Sequence, residues 1–351
     1  MGKRIVIMAG GTGGHVFPAL AVAQLLLEKD WQVSWLGTHK GLESKVVPEH
    51  GIAIDWLSVT GVRGKGVVAK FKAVFMLLRA CIQARAILLQ RKPDVVLGMG
   101  GFVAGPGGLM AKLLGIPLVI HEQNRVPGTT NRLLAKLANQ VLEAFPNSFN
   151  KKVGATCTGN PLRKAFLTIP ERPHCSDKTV TNVLVFGGSQ GAQILNEIVP
   201  DAVTQLADVQ IIHQTGAVMF EPVRTRYRAL NVKAHVTAFI DDMVAAYQWA
   251  DIVICRSGAM TVSEVAAMGV PAIFIPLPSA IDDHQVANAR FLTDAGAGLL
   301  LMQKDLTPMS LAKKMTEALG QLELMRQATK QCARLEATEV VAAICIAEAK
   351  A

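Results

Sequence analysis

Apolar positions along the chain form short runs that alternate with longer stretches of helical spacing. In the first half, the short runs predict strands at residues 4–8, 32–36, 95–97 and 118–121. The helical spacing predicts helices at residues 17–28, 67–89 and 107–114. Because buried strands separated by helices are typical of βαβ units, this half is predicted to form a parallel sheet with helices on its faces.

The second half of the chain repeats this alternation. Strands are predicted at residues 183–186, 209–213, 252–255 and 272–275, and helices at residues 194–206 and 261–268. Both halves open on a buried strand followed by Gly-Gly-hydroxyl-x-Gly, beginning at Gly10 and at Gly187. The repeat predicts an α/β protein of two doubly wound domains, residues 1–160 and 161–337. The last segment, residues 338–351, holds a further predicted helix whose position in the fold stays open.

The composition excludes several classes of protein. Half of the 351 residues are apolar and 18% are charged, which excludes disordered and collagen-like chains. No run reaches the ~18 apolar residues of a membrane-spanning helix, and the first run ends too early for a signal peptide. The six cysteines show neither CxxC nor zinc-ligand spacing, which is typical of buried thiols in a reducing cytosol.

The charge is concentrated in the first half of the chain. Residues 1–160 hold 19 Lys and Arg against 8 Asp and Glu, whereas the remainder holds 17 against 19. Residues 56–93 contain eight basic residues and no acidic one, and they include the predicted amphipathic helix at residues 67–89. Packing on the sheet is the default interpretation of such a helix, but the lack of acidic residues favours an edge that faces an anionic membrane. The residues expected on that surface are Lys65, Lys70, Phe71, Lys72, Phe75 and Arg79.

Three glycine-rich loops follow predicted strands: the first glycine loop (residues 10–15), the second (98–108) and the third (187–191). A strand that ends in glycines and opens a helix directs backbone N–H groups and the positive helix end at an anion. Packing alone does not account for the glycine density of the second loop, which we expect beside a large anionic group such as a diphosphate. The first loop is not a Walker loop, and Val16 replaces the third glycine of GxGxxG. An oxidoreductase is therefore disfavoured.

Three polar segments also follow strands. His121-Glu122-Gln123-Asn124 stands at the predicted carboxyl edge of the sheet, where open α/β folds bind ligands. Thr261-x-x-Glu264 fits two interpretations equally well: a helix capping box, or a carboxylate that accepts the hydroxyls of a ribose. Residues 282–285 fit a solvated helix start better than a metal site, and the chain has no Asp-x-Asp pair. We therefore predict no tightly bound cofactor and no required divalent metal.

Six motifs occur in one order along the chain: Gly10-Gly11-Thr12-Gly13-Gly14-His15, Gly98-Met99-Gly100-Gly101, His121-Glu122-Gln123-Asn124, Gly159-Asn160-Pro161, Gly187-Gly188-Ser189-Gln190-Gly191 and Arg256-Ser257-Gly258-Ala259. The ordered set resembles the MurG family of bacterial glycosyltransferases, from about Arg4 to about Ala297. The resemblance implies a GT-B fold, two Rossmann-like domains separated by a cleft. It implies an inverting transfer of N-acetylglucosamine from UDP-N-acetylglucosamine to undecaprenyl-diphosphate-N-acetylmuramyl-pentapeptide, which converts lipid I to lipid II.

The resemblance also implies roles for individual residues. Glu264 would accept the ribose hydroxyls, Ile240 would meet the uracil, and Gln285 and Asn124 would contact the sugar. The other donor contacts it implies are Thr12, Gly13, Gly14, Arg163, Ser189, Ala259, Met260, Thr261, Val262 and Ser263. The glycines expected near the acceptor diphosphate are Gly13, Gly14, Gly100, Gly101 and Gly105.

The inversion that the family implies needs a base to deprotonate the attacking hydroxyl. His15 is the predicted base, because a neutral imidazole suits proton removal at cytosolic pH. A hydrogen bond that only fixes the loop is the alternative role for His15, and Glu122 is the rival base. Backbone dipoles at the helix start after Arg256 can stabilise the departing diphosphate without a metal.

The family further implies a role in peptidoglycan synthesis, and hence in cell shape and division, at the cytoplasmic face of the bacterial inner membrane as a peripheral protein. The expected partners are UDP-N-acetylglucosamine, lipid I and the anionic membrane surface, with cell-wall synthesis proteins as candidates. A UDP-sugar epimerase of the same architecture is the alternative enzyme, which the basic stretch disfavours. Nucleic acid is not an expected partner, because that stretch lacks stacking aromatic residues beyond Phe71 and Phe75.

Overall fold

Each half of the chain builds its own parallel sheet. The structure, a computed structural model, describes residues 2–59, 67–168, 180–278 and 283–349, and for residues 67–73 it describes the backbone alone. The chain divides into two compact units. Unit 1 comprises Met1–Lys164 and Leu335–Ala351, and unit 2 comprises Ala165–Arg334.

Unit 1 contains a seven-stranded sheet in the order β3-β2-β1-β4-β5-β6-β7, with every pair parallel. The strands are β1 (Arg4–Met8), β2 (Gln32–Gly37), β3 (Ala53–Trp56), β4 (Val95–Gly98), β5 (Leu118–Glu122), β6 (Gln140–Glu143) and β7 (Thr156–Cys157). The helices are α1 (Gly13–Glu28), α2 (Glu43–Glu49), α3 (Val67–Arg91), α4 (Ala104–Leu113), α5 (Thr129–Leu134) and, from the far end of the chain, α13 (Ala337–Glu348).

The alternation of β1 covers both faces of this sheet. Ile5 and Ile7 lie in a core cluster with residues of α1 and α13, whereas Val6 and Met8 lie in a second cluster with residues of α3 and α4. All four side chains are fully buried. A parallel sheet needs this coverage on both faces, which explains why the strands appear in the sequence as continuous apolar runs.

Helix α13 completes the first of these clusters. Its residues Val341, Ala342 and Cys345 are buried against the cluster that contains Ile5 and Ile7. The Thr338 hydroxyl donates to the carbonyl of Leu162 at 3.2 Å. The helix whose position the sequence left open is thus part of unit 1.

Unit 2 contains a six-stranded sheet in the order β10-β9-β8-β11-β12-β13, again parallel throughout. Its strands are β8 (Thr181–Phe186), β9 (Val209–Gln214), β10 (Ala234–Thr237), β11 (Ile252–Cys255), β12 (Ala272–Phe274) and β13 (Gly298–Leu300). Its helices are α6 (Gln193–Val203), α7 (Phe220–Ala229), α8 (Met243–Trp249), α9 (Ala259–Met268), α10 (His284–Thr293), α11 (Pro308–Leu319) and α12 (Leu322–Cys332). Both sheets have the strand order of a Rossmann fold, which confirms the predicted fold class.

Three helices begin earlier than the sequence predicts. Helix α1 starts at Gly13 rather than at residue 17, α4 at Ala104 rather than at 107, and α9 at Ala259 rather than at 261. Low helix propensity predicts loop at the glycine-rich starts of α1 and α4, but packing against the sheet overrides it. As a result, Gly13, Gly14 and His15 belong to the first turn of α1. The earlier start of α9 has a different reason: the helix begins directly after Gly258, with Ala259 and Met260, which favour a helix, as its first residues.

Helix α3 has two faces that differ in burial. Ala80, Ala84 and Leu88 are buried in the cluster shared with β1. The default interpretation, that the apolar stripe packs on the sheet, is wrong for six of the described large apolar side chains. The exposed large residues of α3 are Val74, Phe75, Leu77, Leu78, Ile82 and Leu89, which are 46–71% exposed. Within the described ranges, no helix is both long and apolar enough to cross a bilayer.

The cysteines do not all match the prediction of buried thiols. Cys81, Cys255 and Cys345 are buried, and burial raises the pKa of the Cys345 thiol to about 12. Cys332 is half-buried and Cys157 is exposed, which corrects the prediction for these two. Cys81, Cys255, Cys332 and Cys345 are free thiols, and Cys175 lies outside the described residues.

Candidate active site

The predicted glycine loops lie at the two points where strand order reverses. In unit 1 this point lies between β1 and β4, which lead into the first and second glycine loops. In unit 2 it lies between β8 and β11, which lead into the third glycine loop and Arg256-Ser257-Gly258. Ligands of open parallel sheets bind at such points, outside the carboxyl ends of the strands.

The first two glycine loops touch through their backbones. Gly101 has a φ of +80°, and a Cβ there would lie 2.4 Å from the carbonyl oxygen of Gly10. Gly100 has a φ of +95°, and a Cβ there would lie 3.0 Å from the ring of His15. Only glycine permits this conformation together with this approach.

Part of the second glycine loop serves packing after all. A Cβ on Gly107 would lie 2.2 Å from Met8 Sδ, and one on Gly108 would lie 2.9 Å from the methyl groups of Leu134. The expectation that packing does not account for these glycines is wrong for both, because they let α4 approach its neighbours. Gly105 differs, since the nearest atom to its Cβ position lies 3.6 Å away.

A buried carboxylate anchors the first glycine loop. Glu43 is fully buried and accepts hydrogen bonds from the backbone N–H of Gly11 and of Thr38, each at 2.9 Å. The Thr38 hydroxyl donates to the same side chain at 2.8 Å. The sequence analysis missed Glu43, because nothing in its local pattern indicates contacts to a loop 32 positions away.

The start of α1 is open for an anion. Thr12 occupies the N-cap position with an extended backbone, but its side chain makes no capping hydrogen bond and is exposed. The first-turn N–H groups therefore point out of the helix without a side-chain cap, at its positive end. Gly13 and Gly14 have no side chains that would keep a charged group away.

The His15 imidazole is hydrogen-bonded into the polar motif that follows β5. Its Nδ1 lies 2.8 Å from Gln123 Oε1. Gln123 Nε2 lies 3.1 Å from His121 Nδ1, and His121 Nε2 lies 2.9 Å from the carbonyl oxygen of Gly159. Burial lowers the pKa of His121 to about 4, so its imidazole is neutral at cytosolic pH. Gln123 and His121 are both buried, whereas His15 is half-buried.

Glu122 points into its own loop. Its side chain is 1% exposed and accepts hydrogen bonds from the backbone N–H of Asn124 at 2.9 Å and of Gly128 at 3.0 Å. The Asn131 amide donates to it at 2.9 Å. A carboxylate occupied in this way organises the loop, which favours His15 over Glu122 as a base that reaches a substrate.

The switch point of unit 2 forms a cavity of about 650 Å³, within the ordinary size range of ligand pockets. The predicted donor residues Thr261 and Gln285 line it together with glycines of the third loop. Gly191 and Gly216 pass each other here with φ values of +76° and +77°, and a Cβ on Gly191 would lie 2.0 Å from the Thr215 carbonyl oxygen. The close backbone approach seen in unit 1 thus recurs in unit 2.

Arg256 supplies positive charge to the lining of this cavity. Its guanidinium donates to the carbonyl oxygens of Ile275 and Pro276 at 3.0 and 3.1 Å and to Gln303 Oε1 at 2.8 Å. Partial burial lowers the pKa of Arg256 from its ordinary value, but a guanidinium stays protonated in proteins. The sequence analysis missed Gln303, which lies in a different segment and reaches the cavity only through the fold.

Comparison with known proteins identifies the family. The glycosyltransferase family 28 N-terminal domain matches residues 5–143, and the family 28 C-terminal domain matches residues 182–344. The UDP-N-acetylglucosamine–N-acetylmuramyl-(pentapeptide) pyrophosphoryl-undecaprenol N-acetylglucosamine transferase of Methylococcus capsulatus is 57% identical over 356 residues, which cover 100% of both chains. The chain belongs to the MurG family.

Solved structures agree with this family. The crystal structure of Acinetobacter baumannii MurG is 42% identical, with a TM-score of 0.85 over 98% of this chain and 99% of that one. The fold is therefore the GT-B fold of MurG. A UDP-GlcNAc 2-epimerase from Neisseria meningitidis has a TM-score of 0.68 over 98% of this chain and all of that one, but at 13% identity it shares the fold alone.

The start of α9 excludes one of the two interpretations of Thr261 and Glu264. Helix α9 begins at Ala259 with Gly258 as its N-cap and without a side-chain cap, so Thr261 is the third helical residue. The capping-box interpretation is therefore wrong. Glu264 lies one turn further along, half-buried, with its Oε2 accepting the Tyr247 hydroxyl at 3.4 Å.

The other residues expected to contact the donor are scattered between the two units. Met260 and Ser263 are half-buried, whereas Ala259 and Val262 are buried and have only their backbones to offer. Ser189 is exposed in the third glycine loop. The residues in unit 1 are Thr12, Gly13, Gly14, Asn124 and Arg163, of which Arg163 lies 5.6 Å from the Phe17 ring centroid.

Gln285 is fixed by the backbone at the mouth of the unit 2 cavity. Its Oε1 accepts from the N–H of Leu277 at 3.0 Å and of Ser257 at 3.4 Å. Ile240 is half-buried between β10 and α8 and does not line the cavity among the described residues. Asp283 stands at the N-cap of α10 without a capping bond, and Asp282 lies outside the described residues.

Possible metal ligands do not cluster in the part of the chain that the structure describes. This part contains no group of three or more His, Cys, Asp or Glu side chains that could hold a metal ion. At the unit 2 cavity, the groups that suit a diphosphate include backbone N–H groups, the N-terminus of α9 and the Arg256 guanidinium.

Replacing Glu122 by glutamine tests its role as the organiser of its loop. The new NH₂ group would face an N–H donor, leaving at least one buried donor without an acceptor. We expect the free energy of unfolding, measured by urea denaturation, to fall by about 1–3 kcal/mol. Glu49→Gln makes the same charge change at an exposed position of α2 and should alter stability by less than about 0.5 kcal/mol. Equal stabilities of the two variants would contradict the assigned role.

Proposed function

We propose that this chain transfers N-acetylglucosamine from UDP-N-acetylglucosamine to undecaprenyl-diphosphate-N-acetylmuramyl-pentapeptide, the step that converts lipid I to lipid II in peptidoglycan synthesis. The observation that carries the proposal is 57% identity, over the whole of both chains, to a transferase named for this reaction. The switch points of units 1 and 2 support the proposal as well. Each has backbone N–H groups that can bind an anion, and each of the two substrates carries a diphosphate.

Unit 2 binds the donor in this proposal. The third glycine loop, the start of α9 and Arg256 surround a cavity of about 650 Å³ with hydrogen-bond donors that suit a diphosphate. Glu264 accepts the ribose hydroxyls, held in place by the Tyr247 hydroxyl. Ile240 contacts the uracil, and Gln285 contacts the sugar.

The departure of UDP is the step in which this cavity acts. When the bond between C1 of the sugar and the diphosphate oxygen breaks, both bonding electrons leave with UDP and its negative charge increases. The N-terminus of α9 and the Arg256 guanidinium stabilise that charge, since both are already oriented before the reaction.

Unit 1 binds the acceptor and supplies the base. The open start of α1 and the backbones of Gly100, Gly101 and Gly105 suit the diphosphate of the acceptor lipid, and the surplus of basic residues in this unit favours an anionic ligand. His15 takes the proton of the attacking hydroxyl. Its position on the first turn of α1 supports this role, because the same turn presents the anion-binding N–H groups.

A transfer assay tests the function directly. The chain is incubated with radiolabelled UDP-N-acetylglucosamine and a lipid I analogue, with UDP-glucose as the control donor. We expect label to appear in a lipid II product only with the first donor. No transfer by the wild-type chain would overturn the proposed function.

The same assay with His15→Ala tests the assignment of the base. We expect kcat to fall by roughly 10²–10⁴ in this variant while UDP affinity stays near normal. A loss of less than tenfold would overturn the assignment of His15 as the base.

The Glu264→Gln variant tests the ribose contact. It keeps the size of the side chain and an oxygen for Tyr247 but loses the charge-assisted hydrogen bonds to the ribose. Affinity for UDP, measured by calorimetry, should fall by about 1.5–3 kcal/mol with little change in melting temperature. Glu197→Gln removes another carboxylate of the same cavity and should leave UDP affinity unchanged or slightly higher, because less negative charge then faces the diphosphate. Unchanged affinity in Glu264→Gln would remove the ribose assignment.

The location proposed for the chain is the cytoplasmic face of the inner membrane, as a peripheral protein. Helix α3 supports this, because Phe75 and Ile82 are 69% and 71% exposed and Arg79 and Arg85 are exposed on the same helix. Apolar side chains that enter the interface together with flanking cations are the usual means of such binding. The side chains of Lys70, Phe71 and Lys72, and the whole of Lys65, lie outside the described residues.

Membrane binding can be tested with the double variant Phe75→Asp/Ile82→Asp. Flotation with vesicles that contain anionic lipid should recover the wild-type chain in a salt-sensitive manner, and the double variant should remain unbound. Met309→Asp/Leu324→Asp is the matched control, because these unit 2 side chains are 74% and 70% exposed and receive the same charges. Equal flotation of all three proteins would contradict the proposed surface.

A further inference from the structure

A chain of hydrogen bonds runs from a buried carbonyl group to the imidazole of His15. It passes from the Gly159 carbonyl through His121 and Gln123 to His15, over distances of 2.9, 3.1 and 2.8 Å. The asymmetry of these partners determines where each proton resides, because a carbonyl oxygen can only accept.

The proton positions are determined first at His121. The ring is fully buried, and its pKa of about 4 makes it neutral at cytosolic pH. Since Nε2 faces the Gly159 carbonyl oxygen, Nε2 carries the proton and Nδ1 carries the lone pair. His121 therefore presents an acceptor to Gln123.

The orientation of the Gln123 amide follows from two acceptors. Its Nε2 lies 3.1 Å from His121 Nδ1 and 3.1 Å from the backbone carbonyl oxygen of His121. If the amide were turned by 180°, its oxygen would face both acceptors and two hydrogen bonds would be lost. The neighbours therefore determine that Oε1 faces His15. The backbone of Gln123 is held as well, because the Asn160 amide donates to its carbonyl oxygen at 3.1 Å.

The amide orientation in turn determines the tautomer of His15. Gln123 Oε1 has no proton to donate, so His15 Nδ1 must carry the hydrogen of the 2.8 Å bond. A neutral ring then has its lone pair on Nε2. The ring also lies against Gly100, where the absence of a side chain leaves room for it.

We propose that Gln123 and His121 are positioning residues that hold neutral His15 with its proton on Nδ1 and its lone pair on Nε2, ready to accept the proton of the acceptor hydroxyl. The proposal rests on the proposed function, in which His15 is the base. In water the opposite tautomer, with the proton on Nε2, is the favoured form of a histidine side chain. The hydrogen bond that His15 Nδ1 donates to Gln123 Oε1 reverses that preference, so the basic nitrogen is the one across the ring from Gln123.

The first test measures the tautomers in the wild-type chain. With all histidines labelled with ¹⁵N, two-bond ¹H–¹⁵N spectra of the full chain above neutral pH distinguish protonated from unprotonated ring nitrogens. We expect His15 with the proton on Nδ1 and His121 with the proton on Nε2, that is, opposite tautomers in one molecule. The His15→Ala spectrum assigns the His15 signals by their loss. A His15 ring with its proton on Nε2 would overturn the proposal without any variant having to fold.

The second test removes the amide. Gln123→Leu keeps the approximate volume but provides no acceptor, so His15 should shift toward the Nε2–H tautomer and kcat should fall by about 10- to 100-fold. The affinity for UDP should stay within about twofold, because the change leaves unit 2 untouched. Gln140→Leu is the control, since the half-buried Gln140 is another glutamine of unit 1 and loses one side-chain hydrogen bond, to Glu348. It should leave both kcat and the His15 tautomer unchanged.

The outcomes separate this proposal from the function on which it rests. If His15→Ala loses activity as expected but Gln123→Leu keeps the wild-type kcat and tautomer, the positioning role of Gln123 and His121 is wrong. The assignment of His15 as the base is then unaffected. If His15→Ala keeps its activity, the assignment of His15 as the base is wrong, and the positioning role of Gln123 and His121 in catalysis is wrong with it. A change of the His15 tautomer in Gln123→Leu together with a selective loss of kcat supports the positioning role, because a merely structural defect would not move the proton between the ring nitrogens of His15.

Discussion

The loops at the carboxyl edge of the unit 1 sheet depend on buried carboxylates that accept backbone N–H groups. Chain that leaves a strand no longer has sheet partners, and each N–H left without an acceptor costs about 1–3 kcal/mol. Glu43 accepts from the first glycine loop, Glu122 from the loop after β5, and Glu143 from the N–H of Asn147 and Phe149 after β6. These glutamates make the edge rigid without filling it with side chains, which leaves the backbone itself available to ligands.

The repeated apolar runs were sufficient to predict two parallel sheets, because strands buried on both faces are apolar throughout. The starts of α1 and α4 were not predictable in this way, since glycine locally indicates a loop. The same limit applies to the site. The motifs indicated where ligands bind, but Glu43, Gln123 and Gln303 act through contacts with distant segments; Gln123 and His15, for example, are 108 positions apart.

The two units share one backbone arrangement at their switch points. In each, glycines at the switch point cross a neighbouring loop so closely that no Cβ fits, as Gly101 does beside Gly10 and Gly191 beside Thr215. What differs is the side chain placed next to the crossing. Unit 1 adds the His15 imidazole, hydrogen-bonded to Gln123, and unit 2 adds the Arg256 guanidinium, held by carbonyl groups. In the proposed function, the same backbone arrangement therefore accompanies a base in one unit and leaving-group stabilisation in the other.

The return of α13 to unit 1 has a consequence for the order of folding. All of unit 2 lies between Lys164 and Leu335 in the chain, so the ribosome completes it before α13 is made. Until then the core face that holds Ile5 and Ile7 lacks Val341, Ala342 and Cys345. Unit 2 is continuous and can fold during synthesis, whereas unit 1 reaches its full core only afterwards. Unit 1 therefore completes its core last, although all seven of its strands are synthesised before unit 2, and one face of its finished sheet stays partly uncovered until α13 emerges.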